Sequence, residues 1–177
     1  NNYIDKALGV IKISYPKFFD LIINMVKKIV IYFGDDNSFA SIETQGVIYL
    51  NVRDEKSNEV FFIDDILHQS AHVIFNTLTL KIKKDFFLMP HDSPFSEFTN
   101  DKRDTGDLYS RFHGLFTQSN INTCLTNCLI ENTFKGKKKI EVIGRIVDNM
   151  TMFKGMIFKF EKKEHYKEEG FNWFSFF

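Results

Sequence analysis

Downstream of Pro16 the apolar residues Phe18, Phe19, Ile22, Ile23, Val26, Ile29 and Val30 return every three or four positions, predicting a helix with proline at its start. The turn-rich run Gly34-Asp35-Asp36-Asn37-Ser38 ends that pattern. Ser38 to Ile42 reads as a weak strand and Gly46 to Val52 as a stronger one, rich in β-branched and aromatic residues. Arg53 to Glu59 is a polar connection. A second helix is expected from about Asp64, with acidic residues in its first turn and Ile63, Ile66, Leu67, Ala71, Ile74 and Leu78 at helical spacing. Lys81 to Tyr109 shows no steady period and holds Pro90 and Pro94; long irregular segments of this kind are usually functional or mobile. A third helix is expected over Leu108 to Ile130. A fourth is expected over Lys138 to Phe160, where Ile143, Ile146, Val147, Met150, Phe153, Ile157 and Phe160 form an apolar stripe. The pattern predicts an α+β fold, mainly helical, with a small β-sheet and residues 1–177 in a single domain.

Composition narrows the function classes. Lys and Arg number 23 and Asp and Glu 23, so the chain lacks the net positive charge of a general nucleic-acid binder. Phe is over-represented at 21 of 177 residues, which promises a large aromatic core. No apolar run is long enough to span a bilayer, and the start Asn1-Asn2-Tyr3 shows no signal peptide. Two cysteines, Cys124 and Cys128, are too few for a disulfide-stapled secreted module; a reducing, cytoplasmic setting is the expectation. Their four-residue spacing reads as small buried positions on a helix. The run Lys135, Lys137, Lys138, Lys139 reads as a solvated helix start, and the aromatic tail Phe171 to Phe177 as packing on the core, with a homodimer contact as second choice.

The candidate chemistry lies in His68-Gln69-Ser70-Ala71-His72. On a helix, positions four apart share one face, so the two imidazoles can reach one metal ion. A zinc peptidase of the H-E-x-x-H type needs Glu at the second position to deprotonate metal-bound water. Gln69 has no useful basicity, which weighs against peptide hydrolysis more than against metal binding. Ferrous oxygenases need only two or three protein ligands and open positions. His113, on the next long helix, is the first choice for a third ligand. His91 is a weaker one, and Asp101, Asp104 and Asp107 are the carboxylates available to a two-histidine, one-carboxylate site.

The order of these features resembles the H-E-x-x-H-type peptide-modification proteins, 2-oxoglutarate-dependent peptide β-hydroxylases acting on ribosomally made peptides. The resemblance rests on Asn37-Ser38-Phe39-Ala40-Ser41, Gly46-Val47-Ile48-Tyr49-Leu50, Leu67-His68-Gln69-Ser70-Ala71-His72, Ser93-Pro94-Phe95, Asp101-Lys102-Arg103 and Phe112-His113-Gly114-Leu115-Phe116. It runs from about Tyr15 to about Phe116 and more faintly to Gly170. It implies a zincin-like arrangement of the His68/His72 helix, iron(II) on His68, His72 and His113, and 2-oxoglutarate held by Arg103 or, as the competing choice, Arg111. Gln69 in place of the usual Glu and Asp104 after Arg103 depart from the pattern. The function implied is hydroxylation of peptide side chains; the alternatives are a zinc metallopeptidase and an inactive peptide-binding relative. The edge of the Gly46–Val52 strand is the expected docking line for a peptide.

Overall fold

The computed structural model describes residues 2–52 and 58–177. Among these residues the chain forms α1 (Asn2–Ser14), α2 (Pro16–Met25), β1 (Lys28–Tyr32), β2 (Phe39–Ala40), β3 (Val47–Asn51), α3 (Glu59–Thr79), α4 (Phe95–Thr99), α5 (Leu108–Ile130), α6 (Gly136–Phe160) and α7 (Glu168–Phe174). The architecture is α+β and mainly helical, as the pattern predicts. The helix expected to run on through Val30 instead stops at Met25. Val26 turns extended (φ −87°, ψ 110°), and Ile29 and Val30 enter β1. A run of β-branched residues satisfies either period, and parallel pairing of Lys28–Tyr32 with Val47–Asn51 decides for the strand. Gly46 permits that pairing: at φ +86° its carbonyl accepts from the amides of Lys27 (2.7 Å) and Lys28 (3.2 Å).

The sheet order is β1-β3-β2, so the Gly46–Val52 strand lies in the centre of the sheet and offers a peptide no free edge. The free edges are β1 and β2. Beneath the sheet, Ile48 and Leu50 are fully buried in a core shared by α1, α2, α3 and the C-terminal half of α5. A second core is almost wholly aromatic: Phe75, Phe86, Phe87, Phe95, Phe98, Phe112 and Phe160 pack together, and α7 closes it with Phe171, Trp173, Phe174 and Phe177. The expected packing of the aromatic tail on the core is what the fold displays, although Phe176 stays 80% exposed.

α3 opens five residues before the expected Asp64 because Asn58 caps it, accepting from the amides of Val60 (2.7 Å) and Phe61 (3.3 Å). Most of the expected connection before it, residues 53–57, lies outside the described residues. Hydrophobic periodicity alone did not predict α1, α4 or α7. On α6 the expected apolar stripe is split. Ile146, Phe153 and Ile157 pack inward, whereas Ile143, Val147 and Met150 remain exposed, because α6 lies on α5 along the face that carries Val142 and Asn149. Cys124 and Cys128 are buried free thiols facing the first core.

Gly170 marks the closest approach in the fold: a Cβ there would lie 1.9 Å from the Phe86 carbonyl oxygen. Gly170→Ala is therefore expected to destabilise by about 3 kcal/mol or more, by levering α7 off the aromatic core. Gly144→Ala on the open face of α6, where an added Cβ meets nothing within 4 Å, is expected to gain up to about 1 kcal/mol. Urea unfolding of the two variants checks both signs.

Candidate metal centre

His68 and His72 lie one turn apart on α3, and their ring centres are 5.0 Å apart. His113, from α5, sets its ring 4.3 Å from that of His72, edge to face. Two imidazoles bound to one ion at about 2.1 Å would have ring centres roughly 4.5–5.5 Å apart, so both observed spacings are near that range. α3 and α5 are held in this register by hydrophobic and polar contacts. Phe75, one turn beyond His72, stacks on His113 at 4.8 Å and meets Trp173 edge-on. At the far end of α3 the Tyr109 hydroxyl bonds Thr79 (2.6 Å) and Asn76 (3.1 Å).

The three rings step inward. His68 is exposed, His72 half-buried, and His113 buried, with 5% of its surface accessible. Burial disfavours the imidazolium form at each. It lowers the His68 pKa, an effect opposed by Asp64 and Asp65. It pushes His72 down to about 4, helped by the charge of His68. It holds His113 well below the ordinary value, with the Ala71 backbone opposing. All three are thus neutral at pH 7, the state in which imidazole binds a metal. His113 Nε2 is buried and has no hydrogen-bond partner. Among the described residues no three His, Cys, Asp or Glu side chains stand with their donor atoms already set for one ion. The rings pack against one another, and a metal would have to re-aim them.

Outside His68 a polar cleft of about 440 Å³ is lined by Asn37, Ser38, Phe61, Asp64, Asp65, Gln69 and Arg145. Ser38 is its hub: its hydroxyl donates to Asp65 Oδ2 (2.6 Å) and accepts from the Asn51 amide (2.9 Å). Burial raises the Asp65 carboxyl pKa, with the Ser38 and Gln69 hydrogen bonds opposing. Gln69, in the place of a peptidase's base, is 5% exposed and donates its Nε2 to the Ser38 carbonyl (3.2 Å) and to Asp65 Oδ1 (3.4 Å). It ties α3 to the segment leading into β2. Arg145 of α6 reaches in over Phe61 and pairs with Asp64 (2.7 Å) and Glu141 (3.1 Å).

The other expected site residues lie elsewhere. Arg103 is 89% exposed and forks onto Asp101 in solvent. Arg111 bonds the Thr105 carbonyl (2.7 Å) and hydroxyl (3.0 Å). Two positions from His113 on α5, it projects about 200° round the helix from that ring. Asp104 pairs with Lys159, Asp107 caps α5 through the Ser110 amide (2.8 Å), and His91 packs near Tyr109. None of these six lines the cleft beside His68. The carboxylates that do, Asp64 and Asp65, were open to inference from the sequence, since Asp64, His68 and His72 share one face at four-residue steps. Arg145 carried no such signal. No protein-family model matches this chain, and no curated protein matches it.

Two outcomes follow for the metal-free protein. Below pH 6.5 the unfolded chain takes up protons that folded His72 refuses until about pH 4. Stability is therefore expected to fall between those values and to be insensitive to His72 above them, by up to about 3 kcal/mol from His72 alone. Asp65, raised by burial, acts in the opposite sense. The comparison is thus between urea midpoints at pH 7.5 and 4.5 for wild type and for His72→Gln, whose acid loss should be visibly smaller. Gln69→Glu removes the donor to Ser38 and sets a second carboxylate against Asp65, at an expected cost of about 1–3 kcal/mol, measurable in the same assay.

Proposed function

We propose that this protein binds a divalent transition metal, iron(II) in the first instance, through His68, His72 and His113, and uses it to oxidise a side chain of a peptide. The observation that supports this most directly is the meeting of three neutral imidazoles from α3 and α5, the innermost with an unpartnered Nε2. A bound metal would supply the oxidising chemistry. The chain's own share is to hold the ligands deprotonated, to keep water from His113 behind Phe75 and Trp173, and to leave His68 open to the cleft. The peptide reading is supported by β2, an edge strand that begins one residue after the cleft residue Ser38.

Hydrolysis is the weaker reading. Gln69 cannot accept a proton, and its amide is committed to Ser38 and Asp65. The 2-oxoglutarate implied by the family resemblance does not fit the cleft in its present state. Arg145 is the one guanidinium among the lining residues, it already faces Asp64 and Glu141, and Asp64 and Asp65 line the same space. A dianion there would meet carboxylates first, so no step is derived through it. A cytoplasmic location remains part of this proposal; among the described residues no helix is long and apolar enough to cross a membrane.

Anaerobic titration with iron(II), read by elemental analysis after desalting, is expected to give one metal per chain. His68→Gln and His72→Gln should each weaken binding by more than about tenfold, the loss that even an outer hydrogen-bond partner can cause. Equal metal retention by the triple His→Gln variant would overturn the assignment. Adding 2-oxoglutarate to the iron-loaded protein then tests the cosubstrate separately. A visible charge-transfer band requires Arg145 to have let go of Asp64, and no band with metal retained removes 2-oxoglutarate alone.

A further inference from the structure

On the side of the molecule formed by α1 and the start of α6 lies a second cleft, of about 770 Å³. Its charge is lopsided in a chain that is neutral overall. Lys6 stands on one wall and Lys135, Lys137 and Lys138 on the other. Against these four lysines the lining holds one carboxylate, Glu59, leaving an excess of three positive charges. Lys138 is paired with Glu59, whereas Lys135 and Lys137 form no ion pair among the described residues. The first turn of the 25-residue α6 opens at the same end without a side-chain cap, which adds the partial positive charge of its free amides.

Two further features restrict what could fill this space. Val10, Ile13 and Phe134 give it an apolar floor, with Ile13 73% exposed, so the occupant has an aliphatic part as well as anionic ones. Glu59 is 9% exposed, and its Oε2 is buried without a hydrogen-bond partner while Lys138 holds the other oxygen. A buried acceptor in this state calls for an N–H donor. Inorganic phosphate brings neither a nitrogen donor nor an apolar group, and the cleft has no aromatic platform for nucleic-acid bases. A peptide brings all three features: acidic side chains for the lysines, an aliphatic one for the floor and a backbone N–H for Glu59.

We propose that this cleft is a docking site for an acidic peptide segment carrying an aliphatic side chain, separate from the histidine centre. Gly9 supplies the means to test it. It lines the cleft from the middle of α1, and an added Cβ meets nothing within 4 Å. A larger side chain there fills the groove while suiting the helix better than glycine.

The test is fluorescence anisotropy of the full chain with a dye-labelled peptide that alternates glutamates and leucines, in dilute and in concentrated salt. Saturable, salt-sensitive binding is expected. Gly9→Leu and the pair Lys135→Glu/Lys137→Glu should each weaken it by about tenfold or more, with thermal midpoint and iron stoichiometry unchanged. The matched pair Lys154→Glu/Lys162→Glu, remote from the cleft, should bind as wild type does. Wild-type binding by Gly9→Leu overturns the proposal, and so does equal weakening by the control pair. Binding to phosphatidylglycerol vesicles with none to the peptide also overturns it, in favour of a membrane surface. None of these results depends on whether the histidines hold a metal.

Discussion

The stack of Phe75 on His113 is the contact on which the rest of the candidate centre depends. Phe75 sits on α3 one turn beyond His72, and the ring it covers belongs to α5, so one apolar contact fixes the register of the two helices and the position of the innermost histidine. Phe112, Phe116 and Trp173 surround the same phenyl ring, which ties the centre to the aromatic core and to α7. The burial that makes this packing favourable also makes the imidazolium form unfavourable. Packing and ligand chemistry are therefore two consequences of one desolvated environment.

Toward solvent the logic changes from apolar to polar. Asp64 and Asp65 lie in the N-terminal half of α3, before the histidines. Each is matched by a partner distant in sequence, Arg145 for Asp64 and Ser38 for Asp65. Gln69 belongs to this network. A glutamate in its place would add a third carboxylate to one helix face, whereas an amide can donate to both the Ser38 carbonyl and Asp65. The position where hydrolytic relatives keep their base is here occupied by a residue that joins helix to sheet. That is a physical reason for separating the capacity to bind a metal from the capacity to hydrolyse.

The two clefts differ in what they ask of a ligand. The one beside His68 is polar, carries opposed charges already paired with each other, and leaves little net field for an anion. The one beside α1 has unpaired lysines over an apolar floor and so has a field to offer. A molecule neutral as a whole can still direct an acidic segment to one face when its charges are segregated in this way.

Read alone, the sequence determined the class of fold, the extents of α5 and β3, and the sharing of one helix face by His68 and His72, because each follows from local periodicity. It also picked out His113 as the third histidine, through its place on the next long helix. It misassigned Ile29 and Val30, since β-branched residues suit a helix face and a strand equally until a partner strand is present. It favoured Arg103 and Arg111 by their nearness to His113 along the chain. Local geometry carries both away: Arg103 closes on Asp101 two residues earlier, and Arg111 turns to the opposite side of α5. Arg145 reached the cleft, and β3 became the central strand, only through the packing of α6 and the pairing of β1, contacts between segments too far apart in sequence for any periodicity to encode.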